Sequence, residues 1–114
     1  MDSMDIKKLK NFVLEKKLVE QTIEGFWKAF NYWKIEYPKE FTRAFRKKFD
    51  PTNLELYIND VSLRIRNWPD EDFNEIIIFL GFDYSETTIG EYKMLFDPET
   101  GEIMDDIFHI TGRV

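Results

Sequence analysis

At 114 residues the chain has room for one domain, which would bury roughly two-thirds of its unfolded surface. It has no cysteine, which excludes disulfides, thiolate nucleophiles and zinc–thiolate sites, and its 43% hydrophobic and 33% charged residues are ordinary for a globular protein. The net charge of −6 is unevenly spread: residues 1–50 carry 12 basic against 8 acidic side chains, residues 51–114 carry 4 against 14. A second half of net charge −10 repels nucleic acid and steers the chain toward basic partners.

Residues 3 to about 17 have the spacing of a helix, with Ser3 as a cap and Ile6, Leu9, Phe12 and Val13 on one face. The stripe is short and lacks tryptophan, so core packing is expected rather than a seat on a membrane surface. A second helix is expected from about Val19 to Tyr37. Its stripe is aromatic: Ile23, Phe26, Trp27, Phe30, Trp33 and Tyr37. Gly25 interrupts it at a cost of about 1 kcal/mol, which suggests the close approach of another segment. The pattern leaves open whether the two helices are continuous. Pro38 ends the second and suits the first turn of a third, from about Lys39 to Lys48, where Phe41, Phe45 and Phe49 repeat at every fourth position. Arg43, Arg46, Lys47 and Lys48 take its outer face.

Asp50-Pro51-Thr52-Asn53 breaks the helical part, residues 1–50, from a strand-rich part, residues 53–110, of the same single domain, residues 1–114. The run from Asn53 to Arg66 alternates with a change of parity. Leu54, Leu56 and Ile58 are even, Val61, Leu63 and Ile65 odd. A two-residue turn at Asn59-Asp60 would place all six on one face, pairing Glu55 with Arg64 and Tyr57 with Ser62. After the turn Asn67–Asp72, the stretch Glu75–Tyr84 is apolar on both sides, as a central strand is. Tyr92–Phe96 and Glu102–Ile110 flank Asp97-Pro98-Glu99-Thr100-Gly101, which has the composition of a type I turn closed by a left-handed residue. Closing that turn pairs Met94 with Met104 and Lys93 with Asp105, and turns Asp106 inward opposite Tyr92. The expected fold is α+β: about three N-terminal helices packed on one face of a five-stranded, mainly antiparallel sheet.

Chemistry is sparse. The chain has one histidine, His109, and no phosphate-binding loop, dinucleotide fingerprint, zinc-protease motif or EF-hand. Asp105 and Asp106 are adjacent on a strand and point to opposite faces, so they make no carboxylate dyad. Asp106 inside the fold could act as a general acid or be a satisfied hydrogen-bonding partner of Tyr92. No metal and no cofactor is implied, and no run of apolar residues approaches the ~20 of a membrane span. Met1–Asp5 lacks a signal-peptide pattern, so a cytoplasmic protein is expected.

Two surfaces remain. One is acidic: Trp68, Asp70, Glu71, Asp72 and Glu75, with Glu99, Glu102 and Asp105 on the other turn. On one rim these residues would present carboxylates and an aromatic anchor to a basic protein cleft. The other is the far side of the sheet, Tyr57, Ile77, Phe79, Leu95, Ile103 and Ile107, which could join two copies of the chain.

With the acidic stretches WPDEDFNE and DPETGEIMDD, an α+β layout and no catalytic motif, the chain resembles the small bacterial immunity proteins encoded beside polymorphic or contact-dependent toxins. That resemblance implies a non-enzymatic protein that neutralises a cognate toxin, in some cases a nuclease, by covering its basic active site. A second reading is a small-molecule binder or enzyme with an aromatic pocket between helices and sheet. A third is a structural homodimer.

Overall fold

The computed structural model describes residues 5–46 and 48–114. Ser3 and Lys47 lie outside the described residues. The cap of the first helix is Asp5, whose carboxylate accepts the Lys8 N–H at 2.8 Å. That helix, α1, spans Ile6–Glu15 and buries Leu9 and Val13. Lys17, with φ of 55°, takes the left-handed conformation and separates α1 from α2, Leu18–Glu36. The two helices are therefore distinct. Leu18, Thr22, Phe26, Phe30 and Trp33 form the buried stripe of α2, while Trp27 and Tyr37 keep part of their surface in solvent. Pro38 opens α3, Pro38–Phe45, as a proline at the first helical position should.

Among the described residues four antiparallel strands follow, β1 Leu54–Arg66, β2 Phe73–Tyr84, β3 Thr87–Phe96 and β4 Ile103–Ile110, in the spatial order of the sequence. This corrects the expected five. No turn forms at Asn59-Asp60. β1 runs through it as one 13-residue strand and pairs along its length with β2, from Leu54 opposite Tyr84 to Arg66 opposite Phe73. The ladder shifts by one residue between Ile58 and Asp60, a bulge at Asn59. One extra residue changes parity just as a two-residue turn does. Leu54, Leu56 and Ile58 before it and Val61, Leu63 and Ile65 after it therefore do share the helix-side face. Glu55 lies opposite Asp83 and Tyr57 opposite Gly81, so the expected pairs with Arg64 and Ser62 are absent.

The helix side of β2, from Ile76 through Ile78, Leu80 and Phe82 to Tyr84, is buried throughout. The aromatic stripe of α2 fills the space above it: Phe26 and Phe82 meet at 5.0 Å between ring centroids, and Phe45 of α3 meets Tyr84 at 4.7 Å. The backbone of Val114 donates to Ala44 O at 2.8 Å, which ties the segment after β4 to α3.

The turn between β3 and β4 forms as its composition suggests. Asp97 Oδ1 accepts the N–H groups of Glu99 and Thr100, and Gly101 takes φ of +78°. The ladder beyond it is displaced by two residues from the expected one. Met94 faces Asp106 and Lys93 faces Ile107, so the Lys93–Asp105 pair does not form, and Lys93 Nζ lies 5.0 Å from the centre of the Phe79 ring. A slip of two residues preserves facing, which keeps Asp106 on the helix side, where it is exposed rather than buried as expected. A further irregularity between Leu95 and Phe96 places Ile103 opposite Phe96, on the helix side rather than the far side.

The outline is elongated, 51 × 29 × 20 Å. Its radius of gyration of 16.0 Å exceeds the roughly 13 Å expected for a compact domain of this length. The β1–β2 ladder accounts for part of this. Phe96 ends β3 opposite Ile76, so Phe73, Asn74 and Glu75 continue beyond β3, a projection of roughly 10 Å.

Candidate functional site

In an antiparallel meander, alternate turns fall at the same end of the sheet. The turns 67–72 and 97–102 therefore share one end, stepped by the projection of β1 and β2. On the outer step Trp68 is 69% exposed, and Asp70, Glu71 and Asp72 are exposed beside it. The turn is braced by Asn67, whose side-chain N–H donates to Glu71 Oε2 at 2.8 Å. On the inner step Glu99 and Glu102 are exposed. Lys16, from the junction of α1 and α2, lies against Gly101 there and offsets part of the charge. Asp105 is exposed but faces the far side of the sheet, opposite Leu95.

Glu75 does not belong to this exposed set. It is fully buried, and its Oε1 accepts Arg64 Nε at 2.7 Å and Arg64 Nη2. Arg66 Nε lies 3.8 Å from the same oxygen, and the Arg66 guanidinium sits 4.6 Å from the centre of the Phe73 ring. Oε2 has no hydrogen-bond partner among the described residues. A buried carboxylate is tolerated only where cations or donors replace its water, and here two arginines on β1 supply them. Nothing in the sequence alone marks either arginine as a site residue, beyond the fact that Arg64 and Glu75 bracket the Asn67–Asp72 turn.

On the far side of the sheet the expected patch is not continuous. Ile77 and Leu95 are 8% and 3% exposed, Phe79 is half-buried, and Ile103 faces the helices. Tyr57 and Ile107 retain exposed surface, and Tyr57 donates to Asp83 Oδ1 at 3.1 Å.

A groove of about 460 Å³ opens between α2 and the β3–β4 pair, lined on one wall by Gln21, Glu24 and Lys28 and on the other by Tyr92, Met94 and Asp106. Gly25 allows the approach: a Cβ there would run into Met94 Cε and lie 2.5 Å from the Tyr92 hydroxyl. Tyr92 donates to Asp106 Oδ2 at 2.7 Å. Burial, then the hydrogen bond to Asp106 and its charge, push the phenol well above its usual value of 10.0. At neutral pH it is therefore a fixed donor and not a base. His109 lies opposite Glu91 at the other end of β4, with Nδ1 3.5 Å from its carboxylate.

Among the described residues no helix is long and apolar enough to cross a membrane. Comparison with protein-family models, curated proteins and solved structures finds no match for this chain.

Proposed function

We propose that the chain is a protein-binding module that engages a basic partner through the turn-bearing end of its sheet, and that the partner is a toxin whose basic active-site cleft it covers. The observation that supports this reading is that the two turns share one end of the sheet, with Trp68, Asp70, Glu71 and Asp72 exposed on the outer step and Glu99 and Glu102 exposed on the inner one. Exposed carboxylates beside an aromatic anchor suit a basic cleft, giving fast charge-steered encounter and a desolvated centre.

The test is binding to candidate basic nucleases by calorimetry across a salt series. Affinity should fall steeply with salt and drop at least tenfold in Trp68→Ala. A tight complex indifferent to both salt and Trp68 would remove this reading. The groove beside Tyr92 supports a second reading, a small-molecule site. Ligand-dependent shifts of Gly25 and Asp106 amides in a metabolite screen would favour it.

A further inference from the structure

We propose that Arg64, Arg66 and Trp68, at the projecting tip of the β1–β2 ladder, form an anchor for a single acidic side chain of a protein partner. The site adjoins the exposed acids of the 67–72 turn and shares Trp68 with the proposed acidic contact surface, while its two arginines take no part in that surface.

Both guanidiniums are held by β2 while remaining half open. Arg64 is fastened through two nitrogens to one oxygen of the buried Glu75. Arg66 is laid over Phe73 with its Nε 3.8 Å from the same carboxylate. Their side chains are nonetheless 47% and 46% exposed. A free arginine loses rotamer entropy when it grips a ligand, and here that loss has been taken on folding. Arg64 directs two of its five N–H groups at Glu75, and among the described residues the Arg66 guanidinium makes no hydrogen bond, only the ion pair at 3.8 Å. Unused donor capacity therefore remains on two positioned forks.

Charge points the same way. Two guanidiniums over one carboxylate leave a local positive excess. Residues 51–114 hold only four basic side chains against 14 acids, and two of the four meet here. Two residues along the chain from Arg66, Trp68 is 69% exposed. Tryptophan and arginine are the residue types that dominate binding energy at protein interfaces.

The occupant follows from the surroundings. A fork geometry matches a carboxylate or a phosphate. Asp70, Glu71 and Asp72 stand exposed in the adjoining turn and would repel a polyanion such as nucleic acid. A lone carboxylate flanked by basic groups satisfies both signs of charge.

The probe is therefore the capped tripeptide Lys-Glu-Lys, compared with Lys-Gln-Lys and with inorganic phosphate at equal ionic strength. The readouts are the Arg64 and Arg66 Nε–H and Trp68 indole signals of the ¹⁵N-labelled full chain. The glutamate peptide should shift all three saturably and bind roughly tenfold tighter than the glutamine peptide, the contribution of one charge-assisted pair. Arg66→Gln, which leaves the Arg64–Glu75 contact in place, should abolish that preference. Equal binding of the two peptides, shifts confined to residues 70–72, or tighter binding of phosphate than of the glutamate peptide would each overturn the assignment.

Discussion

Arg64 faces Glu75 across the β1–β2 ladder and closes two of its nitrogens on one oxygen of that buried carboxylate. The two partners are not equivalent. Removing the arginine strands a buried negative charge, whereas neutralising the glutamate leaves a guanidinium that is already half in water. Arg64→Ala should therefore cost more than Glu75→Gln. Loss of one partner of a buried pair costs about 3–5 kcal/mol. The exposure of Arg64 and the proximity of Arg66 reduce this to about 1–3 kcal/mol, with Glu75→Gln near 1 kcal/mol. Urea unfolding midpoints of both variants decide the order, and the reverse order would remove Glu75 as the buried member.

The bulge at Asn59 shows how far local pattern reaches. The parity change after Ile58 places six apolar residues on one face, and it does so correctly. Alternation alone does not distinguish a chain reversal from an extra residue, since both change parity. The deciding interaction is non-local. β2 is paired with β3 on one edge, and its other edge is filled along the whole strand only by an unbroken β1. The same argument explains the site. Charge counting finds the exposed acids, but Glu75 reads as one more acid until the register sets Arg64 opposite it. Deleting Asn59 should regularise the ladder, leave Val61 and Arg64 on their present faces and stay within about 1 kcal/mol. Asn59→Ala should stay within about 0.5 kcal/mol. Thermal melts followed by circular dichroism measure both variants, and a deletion that costs about 3 kcal/mol, as a change of facing in an unbroken ladder would, contradicts the bulge.

Gly25 holds α2 close to β3. In an exposed helix Gly→Ala gains about 1 kcal/mol, but here the new methyl meets Met94 and a tyrosine hydroxyl fixed by Asp106. Overpacking of this kind costs about 1–3 kcal/mol, so Gly25→Ala should be neutral to destabilising by about 2 kcal/mol. Met94 is the more yielding neighbour. A double-mutant cycle with Met94→Ala should show favourable coupling of at least about 0.5 kcal/mol. Stabilisation by Gly25→Ala alone would mean that the helix stands farther from the sheet.

Tyr92 makes stability fall with alkalinity. Its folded phenol titrates above the usual 10.0, because burial and Asp106 disfavour the anion. The neutral form is thus preferred in the folded state. Its contribution is complete below pH 10 and is lost as pH rises beyond it, where the unfolded chain ionises first. Tyr92→Phe should cost about 1 kcal/mol at neutral pH through the lost hydrogen bond. Its deficit should shrink above pH 10, because phenylalanine has no proton to lose. Tyr57 is shifted in the same direction but is present in both proteins and cancels. Unfolding midpoints from pH 8 to 11 give the comparison, and parallel curves would sink it.

The exposed and buried acids should separate in binding as well as in stability. Asp70, Glu71 and Asp72 stand in water on the outer step, so each would contribute about 0.2–1 kcal/mol to a basic partner and be screened by salt. Replacing all three by their amides should weaken such a complex by a few-fold to about a hundredfold and flatten its salt dependence. Glu75 lies under two arginines and presents no carboxylate to a partner. At temperatures where Glu75→Gln remains folded, it should leave the salt slope unchanged. Affinity measured at two salt concentrations for the triple amide variant and for Glu75→Gln makes the distinction. A salt slope that responds to Glu75 as strongly as to the turn would mean that the β1 arginines release it when the partner arrives.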